Sequence, residues 1–235
     1  METPDQITGY PQIDGIANGD LPYLPERDQA TLRNKLKKQA DLLRERNHRE
    51  EDSRAMLHTL GELRLGSYLA RNGYSVEYEK KIKYNIDNNN NFKTPDWAIF
   101  EPRPNIVGVV DVANFHGNIQ FEEALKGGPP ALVPRSEDVL SDLYSSLVDK
   151  CIQYKELSNN LKIYYVIASY LHFSAWDGLN PDQVRDLWCN QDTGLFDRFP
   201  EVSGFLHFVE GGMPIMRYER NEKAIRPITM PSGWL

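Results

Sequence analysis

Apolar positions between residues 25 and 46 fall on one helical stripe. Leu32, Leu36, Ala40 and Leu43 recur at spacings of four, four and three residues, the period of a helix with one buried face. Pro25-Glu26 opens this helix, and Arg33, Lys37 and Arg44 lie off its stripe. A second helix is predicted over residues 51–71. Met56, Leu60, Leu63 and Leu69 make its buried side, and Asn72-Gly73 is a left-handed stop signal. Residues 1–26 are rich in Pro, Gly and Asp and show no period, so they read as an extended arm.

The period then changes to two. Residues 74–83 alternate Val76, Tyr78 and Ile82 with charged neighbours, which predicts a strand. The polar run of residues 87–91 reads as a hairpin loop. Residues 97–100 form a short second strand between Pro95 and Pro102. Residues 106–115 are nearly all apolar, the pattern of a strand covered on both faces. After the break at Gly127-Gly128-Pro129-Pro130, a long helix is expected over residues 137–159, then a central strand over 161–169. A helix at 181–189, capped by Asn180, and late strands at 204–209 and 214–218 complete the reading. The order is helix, strand, strand, strand, helix, strand. The helical crossover makes the last two strands of that core parallel. The fold class is therefore α/β with a mixed central sheet and extra N-terminal helices. The domain division is an arm over residues 1–26 and a single domain over 27–235, with its core at 51–170.

Composition narrows the function classes. The 235 residues are 40% apolar and 26% charged, an ordinary globular balance. No apolar run approaches a membrane span. The N-terminus has neither a basic start nor an apolar stretch, and Cys151 and Cys189 are too few for a disulfide framework. An intracellular, cytoplasmic protein with no membrane partner is expected. The net charge of −7 argues against a uniformly basic surface, but the charge is uneven. Residues 1–26 hold five acids and no base, residues 27–83 an excess of five bases, and residues 84–200 an excess of seven acids. A basic half joined to an acidic middle fits a polyanion grip beside a metal site; it also fits solvated faces that balance each other.

Three acids stand out. Asp96 sits at the mouth of the second strand, Asp111 interrupts the apolar third strand, and Glu62 lies on the second helix among leucines. A charge inside an apolar strand is costly unless paired or bound to a metal. Oxygen donors from a helix and two adjacent strands can converge on a hard cation. His48, His58, His172 and His207 show no metal spacing.

Pro95-Asp96, fourteen residues, then Asp111-Val112-Ala113 resembles the signature of the PD-(D/E)xK nuclease superfamily, over roughly residues 51–170. Glu62 sits where many members carry a helical glutamate. The run from Val110 to Gly117 is similar to the nuclease-related-domain and Mrr-type branches. The resemblance implies a restriction-endonuclease-like fold and a Mg²⁺- or Mn²⁺-dependent nuclease acting on DNA, with RNA left open and a homodimer compatible with cutting both strands. It implies Glu62, Asp96, Asp111 and the carbonyl of Val112 as metal ligands, with Lys150 and Gln153 as supports from the long helix. The backbone of the nucleic acid would lie on Arg33, Lys37, Arg44, Arg64 and Arg71, with His116 beside a phosphate. The family's lysine position is Ala113 here, on the same strand face as Asp111. Three explanations compete: migration of the lysine, with Lys150, Lys155 and Lys93 as candidates; a nuclease fold that only binds nucleic acid or serves assembly; or an engineered replacement of the lysine, leaving a slow or inactive enzyme. The last is favoured because the neighbouring residues keep the pattern.

Overall fold

The computed structural model describes residues 5–45, 50–86, 89–101, 103–113, 137–171, 181–190, 193–209, 215–230 and 233–234. Helices α1 (Pro11–Asp20), α2 (Glu26–Arg44) and α3 (Glu50–Arg71) come first. Strands β1 (Ser75–Tyr78), β2 (Ile82–Ile86), β3 (Asn89–Lys93), β4 (Trp97–Phe100) and β5 (Ile106–Ala113) follow. Then come α4 (Glu137–Gln153), α5 (Lys155–Leu161), β6 (Tyr164–Leu171), α6 (Pro181–Cys189), α7 (Leu195–Arg198), β7 (Gly204–Val209), β8 (Ile215–Arg220) and β9 (Gly233–Trp234).

The main sheet has seven strands in the order β1-β4-β5-β6-β7-β8-β9. Its centre is parallel, β5 with β6 and β6 with β7, and its flanks are antiparallel. The α/β class and the mixed sheet are as the sequence predicts, and α4 and α5 lie in the crossover between the parallel strands β5 and β6. Alternation along the strands divides the core into two layers. Trp97, Ile99, Val110, Val112, Val166 and Ala168 share one cluster with Leu60 and Leu63 of α3. Ala98, Val109, Ala113, Tyr165 and Ile167 share the other with Leu143 and Leu147 of α4. Among the described residues, no helix is long and apolar enough to cross a membrane.

Four expectations need correction. Residues 5–24 are not an extended arm: Ile13, Ala17, Leu21 and Leu24 are buried in the core. Pro11 starts α1, and the Asp14 carboxylate accepts from the N–H groups of Thr8 and Gly9. A helix of ten residues is too short to declare a period among Pro, Gly and Asp. Next, the strand expected over 74–83 is two. The chain turns at Glu79, a non-glycine residue at φ 47°, and β2 pairs with β3 as a separate hairpin. The asparagines at 89–91 therefore belong to a strand, held by that pairing rather than by propensity. Finally, the long helix breaks at Tyr154, which leaves helical geometry (ψ 4°). Its hydroxyl donates to the Thr94 carbonyl (3.1 Å), and its ring packs on Tyr165.

The approach of α3 to β4 positions the site. A Cβ on Gly66 would lie 2.0 Å from the Trp97 ring, so only glycine lets the helix come this close. One turn earlier, the Glu62 carbonyl accepts a hydrogen bond from Trp97 Nε1 (2.8 Å). This fixes Glu62 next to the residue preceding Trp97, which is Asp96.

Candidate active site

The β4–β5 ladder ends at the pair Trp97 and Val110. Beyond it, two aspartates replace the missing ladder partners. The Asp96 N–H donates to Asp111 Oδ1 (3.1 Å), and the Val112 N–H donates to Asp96 Oδ2 (2.6 Å). Asp96 and Asp111 thus lie side by side where the strands part, each carboxylate held by a backbone N–H of the other strand, while the donor atoms that cluster within 4.8 Å come from Asp96, Glu62 and His58 and not from Asp111.

Asp111 is 1% exposed, and its other oxygen, Oδ2, lies 2.5 Å from Lys150 Nζ. Lys150 reaches it from α4, the helix that covers the face Asp111 shares with Ala113. The Lys150 carbonyl accepts from Tyr165 OH (3.0 Å), which ties this turn of the helix to β6. Ala113 is fully buried on that face, in the cluster that includes Leu143 and Leu147 of α4.

Glu62 is 2% exposed and approaches from the α3 side. Its Oε2 accepts from Tyr78 OH (2.5 Å) and Lys35 Nζ (2.9 Å). Its Oε1 lies 3.2 Å from His58 Nε2. Lys35 also reaches Glu79 (3.2 Å). One donor atom each from His58, Glu62 and Asp96 lie within 4.8 Å of one another.

The charges are not balanced evenly. Burial, then the neighbouring Asp111 and Glu62, push the Asp96 carboxyl well above the usual carboxylate range, against Lys150 and the Val112 N–H. Burial opposes the charge on Glu62 too, but His58, Lys35 and Tyr78 outweigh it and hold its carboxyl down to about 2. Burial also opposes the ammonium of Lys150, yet Asp111 and Asp96 raise it above the ordinary lysine value. Lys35 is raised likewise by Glu62 and Glu79. A buried carboxyl driven toward its neutral form by two others marks a place where a cation would be welcome. The donors fit a hard divalent ion, and the imidazole widens the choice to Mn²⁺.

Other sequence-predicted residues fall elsewhere. Gln153 is exposed at the end of α4. Lys155 pairs with Glu201 (3.1 Å), away from the acids, and Lys93 lies over the Tyr154 ring. His116 lies outside the described residues, as do the other residues from Asn114 to Gly117 that carried part of the resemblance. Val112 is buried on β5, in register with Ala168.

Four arginines expected to hold phosphates are engaged within the chain. Arg33 pairs with Asp5 (2.8 Å), Arg64 and Arg71 with Asp20 (2.8 and 2.9 Å). Arg44 pairs with Asp41 and donates to the Thr8 carbonyl. Asp5 and Asp20, two of the five acids of residues 1–26, thus pair with bases of the 27–83 segment. Of that set, Lys37 is exposed.

Lys35, His58 and Tyr78 were not among the sequence-predicted site residues. His58 and Glu62 are spaced i, i+4 on one helix, a spacing that puts two side chains on one face and was the available signal. Lys35 had none, because it arrives from another helix.

Replacing Tyr78 by Phe removes one hydrogen bond to a buried carboxylate. The expected loss is about 1.5–3 kcal/mol, read as a lower urea midpoint at unchanged m-value. An unchanged midpoint would mean that Lys35 and His58 suffice for Glu62.

No protein-family model, curated protein or solved structure matches this chain.

Proposed function

We propose that the chain is a divalent-cation-dependent nuclease of the PD-(D/E)xK type that hydrolyses phosphodiester bonds in DNA, with its lysine supplied by α4 rather than by β5. The observation that carries the reading is the contact of Lys150 Nζ with Asp111 at 2.5 Å, beside Asp96 and Glu62. It favours a migrated lysine over an engineered replacement at Ala113, because an ammonium already occupies the face on which that lysine would act. The element order supports it too: α3, β1, β4, β5, α4 and β6 run as the core of such a fold would, with the β2–β3 hairpin inserted.

Glu62, Asp96 and Asp111, with His58, would hold Mg²⁺ or Mn²⁺. Such a cation supplies charge stabilisation at the phosphate and an activated water. Lys150 places a positive charge beside the acids, where negative charge builds on the phosphate during attack. Lys35 and Tyr78 fix the Glu62 carboxylate in one orientation.

The test is cleavage of supercoiled plasmid and of single-stranded circular DNA with Mg²⁺ or Mn²⁺. The wild-type chain should cut, and Asp111→Asn should be slower by about 10²-fold or more. If the wild-type chain cuts neither DNA nor RNA but binds an oligonucleotide, the fold serves binding alone.

A further inference from the structure

The hairpin between β1 and β4 has no place in the main sheet, yet both of its legs end at the acids. On one side the Glu79 N–H, three residues before β2, donates to the Asp96 carbonyl (2.9 Å). On the other, Lys93 ends β3 three residues before Asp96. The inner face is apolar: Ile82 and Tyr84 are buried with Leu147 and Leu157. Asn160 holds the tip of β2 by hydrogen bonds with the Asn85 backbone.

The outer face differs. Lys83 stands opposite Phe92, and Asn85 opposite Asn90, all exposed. Lys81 is exposed as well, and its Nζ lies 4.5 Å from the Phe92 ring centre. Among the described residues, neither Lys81 nor Lys83 makes an ion pair. Phe92 is 50% exposed on a strand whose neighbours are asparagines. Among the described residues, this face therefore offers two ammonium groups outside any ion pair, one of them against an exposed aromatic ring, on a chain of net charge −7.

We propose that the β2–β3 hairpin grips the substrate strand. Lys81 and Lys83 take backbone phosphates, and an unpaired base stacks on Phe92, so the chain acts on single-stranded nucleic acid or single-stranded ends. Charge complementarity selects a polyanion. An aromatic ring beside ammonium groups selects one with flat bases free to stack. Phe92 precedes Asp96 by four residues, a span of at most about 13 Å of extended chain, so the stacked base lies within a few nucleotides of the acids. The proposal deepens the nuclease reading and rests on it for the chemistry at those acids, while the grip itself is tested without cleavage.

Fluorescence anisotropy of a labelled single strand, and of the same sequence as a blunt duplex, is measured with the full chain in Ca²⁺ across a salt series. Phe92→Ala should weaken single-strand binding by at least about fivefold and leave duplex binding within about twofold. Phe92→Trp should retain the single-strand affinity. Lys81→Ala with Lys83→Ala should lower the salt slope of single-strand binding by about 1.4. Matched urea midpoints show that the variants are folded. Unchanged affinity and slope, or equal losses of single strand and duplex with Phe92→Ala, would overturn the grip; so would a wild-type chain that binds no nucleic acid. Cleavage in Mg²⁺ separates the two ideas. A chain that binds through the hairpin but never cuts overturns the nuclease reading alone, and a chain that cuts with hairpin variants behaving as wild type overturns the grip alone.

Discussion

Lys150→Met should slow Mg²⁺-dependent cleavage by about 10²–10³-fold, the loss typical of removing one preorganised group from developing charge. Methionine keeps most of the stem that packs against α4's neighbours and removes only the ammonium. The same change should destabilise the metal-free protein by about 3 kcal/mol. Asp111 is 1% exposed and would keep no cation at Oδ2, which is the situation in which breaking a buried pair costs most. Added Mn²⁺ should recover part of that stability by restoring positive charge near the acids, a readout that does not depend on turnover. A Lys150→Met chain that cuts at the wild-type rate would remove Lys150 from the chemistry.

The position of Ala113 turns this into a double-variant test. Ala113 shares the strand face of Asp111 and is fully buried beneath α4. With Lys150 intact, Ala113→Lys adds a second buried ammonium beside the first and should bring no gain in rate. In the Lys150→Met background, it should restore cleavage at least about tenfold. A gain of 10²–10³ with Lys150 intact would mean instead that alanine is the defect and that a lysine belongs at 113.

What was legible in the sequence was local. The stripe Leu32–Leu36–Ala40–Leu43 lies in a helix with those residues buried, and the apolar run around Asp111 is a central strand. Asp96 and Asp111 could be paired because one stands at the mouth of β4 and the other interrupts the apolar run of the next strand, β5. The rest depended on contacts distant in sequence. Lys35 meets Glu62 across 27 residues, and no periodicity carries such information; Lys150, which meets Asp111 across 39, was named only through the family resemblance. The arginines of α2 and α3 illustrate the same limit. Their excess charge reads as a surface for phosphates until Asp5 and Asp20 fold against Arg33, Arg64 and Arg71. The hairpin was hidden for another reason. Its asparagines have poor strand propensity, and the turn at Glu79 falls inside a stretch whose alternation looks continuous.

His207 should make the protein sensitive to acid by an amount large enough to isolate. It lies on β7, 4% exposed, with Nδ1 2.6 Å from Ser169 Oγ of β6. Among the described residues, no partner meets its Nε2. Burial first, and then the positive Arg217 on the neighbouring strand, lower its pKa from 6.5 to about 4. The unfolded chain takes up a proton below about pH 6.5, whereas the folded chain resists until about pH 4. The unfolded state therefore binds more protons in that window, and stability falls as pH falls through it. A depression of this size corresponds to about 3 kcal/mol, lost between those two pH values and not further below them. Asp96 works the other way, since a raised carboxyl favours the folded state when protonated, so the wild-type curve alone would mix the two. His207→Phe removes the imidazole and leaves the acids in place. It costs the Ser169 hydrogen bond at every pH, an offset rather than a slope. Urea unfolding of both forms from pH 7 to pH 4 should show the wild-type chain losing about 3 kcal/mol relative to the variant. Parallel curves would show that His207 carries its proton inside the fold as readily as outside it, with Ser169 and Arg217 having rearranged to accommodate the charge.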